Sequence, residues 1–224
     1  MKDNRLGAIA LIIGAISGII TMTFHPGGVH HVTPAQFESL IAVIIGVHAL
    51  AIAGLPFLFV GTLALSRELA SPSRLAIMAL VIYGFSLAAI MCAAAMSGLV
   101  TPDVLRHMTA HDAASEQWQA LMLYTHTINQ AFAQIGTVGS CLAIILWSLV
   151  IMKRSLLPLA IGVFGVIMGV AVIGALFTRA VNLEVHGFML ITFAQSIWFV
   201  LAGILLWQIS SLPLDDSVNP AFTR

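Results

Sequence analysis

LIAVIIGVHALAIAGLPFLFVGTLALS, residues 40–66, is the stretch whose reading decides the fold. It contains no Asp, Glu, Lys or Arg and only one ionisable side chain, His48. A helix needs about 20 such residues to cross a hydrocarbon core of about 30 Å, and this run exceeds that. Five more runs of the same kind occur, at 5–24, 75–100, 120–152, 156–178 and 188–209. None shows the ten-residue alternation of barrel strands, and backbone groups in lipid must be satisfied internally, so each run predicts a transmembrane helix.

Composition agrees with this reading. Hydrophobic residues make up 60% of the 224 and charged ones 8%, a balance that a soluble domain carries only by exposing large apolar surface. The formal net charge is zero, so no basic face points to nucleic acid. Cys92 and Cys141 both lie in apolar runs, which argues against a disulfide scaffold. The expected fold is therefore an all-α, polytopic, six-helix membrane bundle forming one transmembrane domain over residues 1–224.

Basic residues orient it. Lys2, Arg5, Arg67, Arg74, Lys153, Arg154 and Arg224 fall on the side of the amino terminus, and Arg106 and Arg179 opposite. The positive-inside rule then places both termini in the cytoplasm of a cell membrane. The first run is read as a retained signal anchor, since no small-residue cleavage motif follows it. In the connections, Thr33-Pro34, Ser71-Pro72 and Thr101-Pro102 each set a capping hydroxyl before a proline suited to a first helical position. The second helix is thus expected to begin near Pro34, and a short amphipathic outer helix to cover 102–112. Residues 61–66, 143–148 and 203–208 resemble one another at the ends of the second, fourth and sixth spans, which points to three repeated helical hairpins.

All eight histidines gather on the outward side: His25, His30, His31, His107, His111, His126 and His186 in or beside outer segments, and His48 within a helix near the same face. Counting about 20 residues from the cytoplasmic charges, at about 1.5 Å each, brings His25, His48 and Gln134 to one level. His126 and Gln130 come slightly further out, so several helices are expected to meet in a shallow outer chamber. On the fourth span His126, Gln130, Gln134, Thr137 and Cys141 follow one another by four, four, three and four, a polar stripe expected to face the bundle interior. Its Gln and Thr members also suit interhelical hydrogen bonding alone. A leucine would serve the fold at position 48 as well as histidine, so His48 is the strongest functional candidate.

Imidazole binds transition metals and titrates near neutral pH. His48 and His126, with Gln130 and Gln134 beside them, are the expected cofactor residues, with haem b as the cofactor. His25, His30, His31, His107, His111 and His186, with the carboxylates of Glu38, Asp103, Asp112, Glu116 and Glu184, offer a site for Zn, Cu, Ni or Fe. No spacing matches H-E-x-x-H or a nucleotide-binding, nucleophile or redox motif. Gly14 with Gly18, and Gly165 with Gly169, suit close helix approach within the chain, in a homo-oligomer or against other membrane subunits. Trp118, Tyr124 and Trp198 read as interface anchors on the outer side and Trp147 and Trp207 on the inner.

Two kinds of function follow. In one, the outward histidines hold haem or a transition metal for electron transfer or metal-dependent chemistry at the outer leaflet. In the other, the chain is a non-catalytic accessory subunit whose histidines touch a partner, pigment or lipid. A transporter fits less well, because no acid or base lies in the cytoplasmic half of any span.

Overall fold

The apolar runs fold as the helices that their length demands. In the computed structural model, which describes residues 2–27, 34–70, 74–107, 115–153 and 159–211, the elements are α1 (Lys2–Thr23), α2 (Pro34–Ala70), α3 (Leu75–Ala95), α4 (Thr101–His107), α5 (Glu116–Lys153), α6 (Leu159–Phe177) and α7 (Val185–Ser211). No strand occurs among the described residues. Six helices are long and apolar enough to cross a membrane, with α3 and α4 counted as one. Helix α2 is described from Pro34 and continues through Pro56, and the predicted cap at Thr33 lies outside the described residues.

Thr101-Pro102 behaves differently from the prediction. Instead of stopping α3 and starting a separate outer helix, it lies in a continuous rod in which a π-turn (Met96–Val100) joins α3 to α4. The Thr101 hydroxyl donates back to the Met96 carbonyl at 2.9 Å rather than forward as a cap. Proline lacks the N–H that a regular turn requires, and the wider π-turn absorbs that loss without ending the helix. Of the predicted outer helix, the part beyond His107 lies outside the described residues up to 114.

Neighbouring helices run antiparallel. Helix α1 packs between α2 and α7, α3 bridges α2 and α5, and α6 lies along α5. The packing does not repeat with the hairpins: α1 with α2 and α3 with α5 form close pairs, whereas α7 leans mainly on α1 and touches α6 little. Both G-x-x-x-G pairs face helices of the same chain. A side chain at Gly14 would meet Leu58 of α2, and one at Gly18 would approach Thr192 and Ser196 of α7. Gly165 faces Ser148 and Trp198, and Gly169 faces Ile145.

Trp147 and Trp198 are not interface anchors. Both are fully buried and stack at 6.1 Å between ring centroids, with Tyr83 at 5.4 Å from Trp147 and Phe199 at 5.3 Å from Trp198. The absence of a side chain at Gly165 makes the slot that Trp198 fills. The Trp147 indole N–H donates to Ser66 at 2.9 Å, which satisfies its polar edge in the apolar core. Trp207 does lie at a surface, 41% exposed, with Arg5 5.5 Å over its ring. That end of the bundle is tied by Asn4 to Glu68 at 2.9 Å, and the opposite end by Arg106 to Glu38 at 3.2 Å.

Candidate functional site: a histidine-lined chamber

At the end where α1 terminates, the helices part around a cavity of about 540 Å³. Four of the described histidines line it: His25 just after α1, His48 on α2, His126 on α5 and His186 at the start of α7. Between them the wall is largely apolar, with Ala51, Ile90, Ala93, Ala133 and Phe188, and Asn129, Gln130 and Glu184 add polar groups. The volume falls in the range of about 300–1,000 Å³ typical of small-molecule and cofactor sites. Convergence of separate helices on one chamber, expected from the depth of the histidines, is thus realised by His25, His48, His126 and His186.

His48 is the most constrained of the four. Only 6% of it is exposed, and its Nδ1 stands 2.7 Å from the Ile44 carbonyl. A carbonyl oxygen only accepts, so Nδ1 donates, and in the neutral ring Nε2 keeps its lone pair. This is the arrangement that fixes tautomer and orientation in metal-bound histidines. The ring fits because of the π-turn. A Cβ on Gly98, in that turn, would overlap the His48 side chain, so the widened backbone and the missing side chain together make its berth.

His25 meets His48 edge to face, with centroids 5.0 Å apart and planes at 69°. Its Nδ1 donates to the Pro26 carbonyl at 3.0 Å, which likewise leaves Nε2 as the acceptor nitrogen. Burial pushes the His25 imidazole below its ordinary range, against the smaller raising effect of that hydrogen bond, so the ring is neutral at pH 7. Two opposed imidazoles sharing one metal would hold their centroids about 6 Å apart, each metal–nitrogen bond being about 2 Å. The closer, tilted His25–His48 contact is not that geometry.

On α5 the wall is formed by His126, Asn129, Gln130 and Ala133. Asn129 donates to the Ala93 carbonyl at 2.8 Å and to Ser97 at 2.6 Å, locking α5 to the α3 rod. Gln130 donates to the Leu183 carbonyl at 3.2 Å and so holds the α6–α7 connection over the chamber. That connection starts with Arg179 in the left-handed region, φ 57°, and an Ala180 N–H that reaches back to the Ala175 carbonyl at 2.9 Å. This left-handed ending turns the chain sharply after α6.

Gln134 is a correction. It is exposed on the outside of α5 and does not line the chamber. Each four-residue step advances about 400°, so two steps from His126 carry Gln134 about 80° around the helix. The three-residue step then returns the stripe inward to Thr137 and Cys141, both buried. Asn129, which sequence reasoning missed, carried a legible signal: it stands three residues after His126 and four before Ala133, on the buried face.

The outer metal cluster also changes. His107 is exposed at the end of α4, donates to the Asp103 carbonyl at 2.8 Å and does not line the chamber. Glu38 and Asp103 face Arg106 and His107 respectively. His30, His31, His111 and Asp112 lie outside the described residues. Among the described residues no three His, Cys, Asp or Glu side chains come together to hold a metal ion. Of the chamber histidines, His25 and His48 are in ring contact. No family model, curated protein or solved structure matches the chain, so the functional reading rests on this chamber.

Proposed function

We propose that the protein is an integral membrane cofactor carrier whose chamber binds haem or a closely related tetrapyrrole through Nε2 of His48, for electron transfer at the outer leaflet. The observation that carries this is the orientation of His48: a buried imidazole, tied by Nδ1 to its own helix, with its remaining nitrogen available at a mostly apolar cavity of cofactor size. A charged or hydrated ligand would gain little from the Ala51, Ile90 and Phe188 wall, whereas a flat apolar macrocycle gains from all of it. A bare ion is disfavoured because three donors are not assembled among the described residues. His126, on the α5 wall, would be the second residue to hold the group. His25 positions the His48 ring, and His186 and Glu184 stand at the α7 side. Bound iron would supply one-electron chemistry, its potential set by axial ligation and burial.

The basic residues support an orientation with the chamber outward. Arg5, Arg67, Arg74 and Lys153 lie at the opposite end, and of the described basic residues only Arg106 and Arg179 share the chamber's end. The positive-inside rule then faces the chamber away from the cytoplasm.

The test is the absorption spectrum and metal content of protein purified in mild detergent without a histidine tag. A Soret band with stoichiometric iron is expected in the wild type, and His48→Leu should lose both while tryptophan fluorescence and thermal unfolding show an intact bundle. A folded, colourless and metal-free wild type overturns the reading and leaves the accessory-subunit function. Retention of the band in His48→Leu removes His48 as the ligand.

A further inference from the structure

Beneath the chamber lies a second cavity, of about 110 Å³, between α1, α2, α3, α5 and α7. Thr21, Met22, Ala51, Ile90 and Phe188 line both cavities, so the floor of one is the roof of the other. On the far side Tyr83 and Phe199 line it, and with Trp147 and Trp198 they belong to the buried aromatic core.

Its polar groups are Ser17, Thr21, Tyr83, Ser86, Thr137, Ser140, Thr192, Gln195 and Ser196. Most have already given their protons away. Ser17 donates to the Gly14 carbonyl at 2.7 Å, Thr21 to Val47 at 3.3 Å, Ser86 to Ile82 at 2.8 Å and Ser140 to Thr137 at 2.9 Å, while Gln195 donates to Ser140 at 2.8 Å and to Cys141 at 3.2 Å. What these five leave is a set of oxygen acceptors. Tyr83, Thr192 and Ser196 add further hydroxyls to the wall. Thr137 differs: it is only 2% exposed and its hydroxyl has no partner. A buried hydroxyl left unpaired is destabilising, and an apolar side chain there would pack as well. The ligand that both donates to several acceptors and accepts from hydroxyls is water. No carboxylate lines the cavity, so a cation would lie uncompensated in a low-dielectric interior. At about 30 Å³ per molecule in the liquid, the space of about 110 Å³ takes about three to four waters.

We infer that the inner cavity is a water-binding site continuous with the chamber, a half-channel wetted from the histidine end and closed by the aromatic core beside Tyr83. It does not depend on what the chamber binds. It gives the chamber's end of the bundle a column of exchangeable water that reaches the middle of the helices, and stops there.

Pulsed radiolytic hydroxyl labelling of the full-length protein, read by mass spectrometry, tests this, because radicals formed from bound water oxidise the side chains beside it. Tyr83 is expected to be labelled in the wild type, and to carry ¹⁸O when the protein is mixed with H₂¹⁸O before the pulse, the sign of exchange with outside water. Gly18 lines the cavity, and the nearest atom to a Cβ placed there is Ser196 Oγ at 3.5 Å, so Gly18→Val fills space without a clash at its Cβ. Labelling of Tyr83 should fall several-fold in that variant. Thr137→Val, which removes only the free hydroxyl at nearly constant shape, should lower it too, and carries the comparison if Gly18→Val does not fold. An unlabelled Tyr83 in the wild type overturns the inference, as does equal labelling in wild type and variants, or labelling without ¹⁸O. The result is independent of colour: a colourless protein with labelled Tyr83 sinks the haem reading alone, and a haem protein with unlabelled Tyr83 sinks the water site alone.

Discussion

His48 shows what a single residue requires in a membrane helix. A buried imidazole is tolerated when its N–H is satisfied, and here the Ile44 carbonyl one turn earlier on the same helix does this. Its second nitrogen then has a role only in relation to the chamber. His25 adds a pH dependence. Desolvation lowers its pKa below the value of about 6.5 of a free imidazole, so the unfolded chain binds its proton more readily than the folded one. The folded state keeps its full stability above that value and loses part of it as pH falls through the depressed folded pKa. Thermal unfolding in detergent should therefore drop more steeply below pH 6.5 for the wild type than for His25→Gln; parallel pH profiles would show that His25 does not titrate with folding. Position 48 was legible in sequence as a lone ionisable group in an apolar run. The His25 contact was not, because nothing in the sequence says how Pro26 directs the preceding ring.

At the scale of elements, glycine spacing and one irregular turn set the geometry. Helix α2 meets α1 through Gly54 against Ser17 and Gly61 against Leu11, where a Cβ on Gly61 would come within 2.6 Å of the Leu11 backbone. Backbone cannot swing away as a side chain can, so Gly61→Ala should destabilise the bundle by about 1–3 kcal/mol, the usual cost of overpacking. Gly46, on the same helix, has nothing within 4 Å of its Cβ position. Gly46→Ala should be neutral or up to about 1 kcal/mol more stable, from helix propensity alone. Melting temperatures of the two variants check the contrast, and equal shifts would mean that the α1–α2 contact is looser than described. The G-x-x-x-G pairs were visible in sequence, but not which helix each glycine faces. The π-turn was hidden for a sharper reason: Thr-Pro is a good helix start, and only the local choice of a Thr101 to Met96 bond converts it into a continuation.

At the scale of the molecule, α2 and α5 are longer than a bilayer requires, at 37 and 38 residues. Counted about 20 residues from Arg67 and Lys153, their excess lies toward the chamber, so the chamber walls rise beyond the hydrocarbon. In the proposed orientation a fluorescent protein fused after Arg224 should glow, since such domains mature in the cytoplasm and fail when exported unfolded; a dark fusion of normal abundance would reverse the orientation. By itself the sequence determined the six helices long and apolar enough to cross a membrane and the end of the bundle at which the described histidines lie, because hydrophobic length acts locally and survives any arrangement of helices. It also singled out His48, since an ionisable group in lipid is expensive wherever the helix packs. Tertiary structure alone decided that His25, His48, His126 and His186 share one cavity while Gln134 and His107 do not. It alone brought Tyr83, Trp147, Trp198 and Phe199 together as the floor of the core. The reason is geometric: an apolar helix buries well on many sides, so which face turns inward is fixed by glycine contacts, single hydrogen bonds and a turn that only the folded bundle selects.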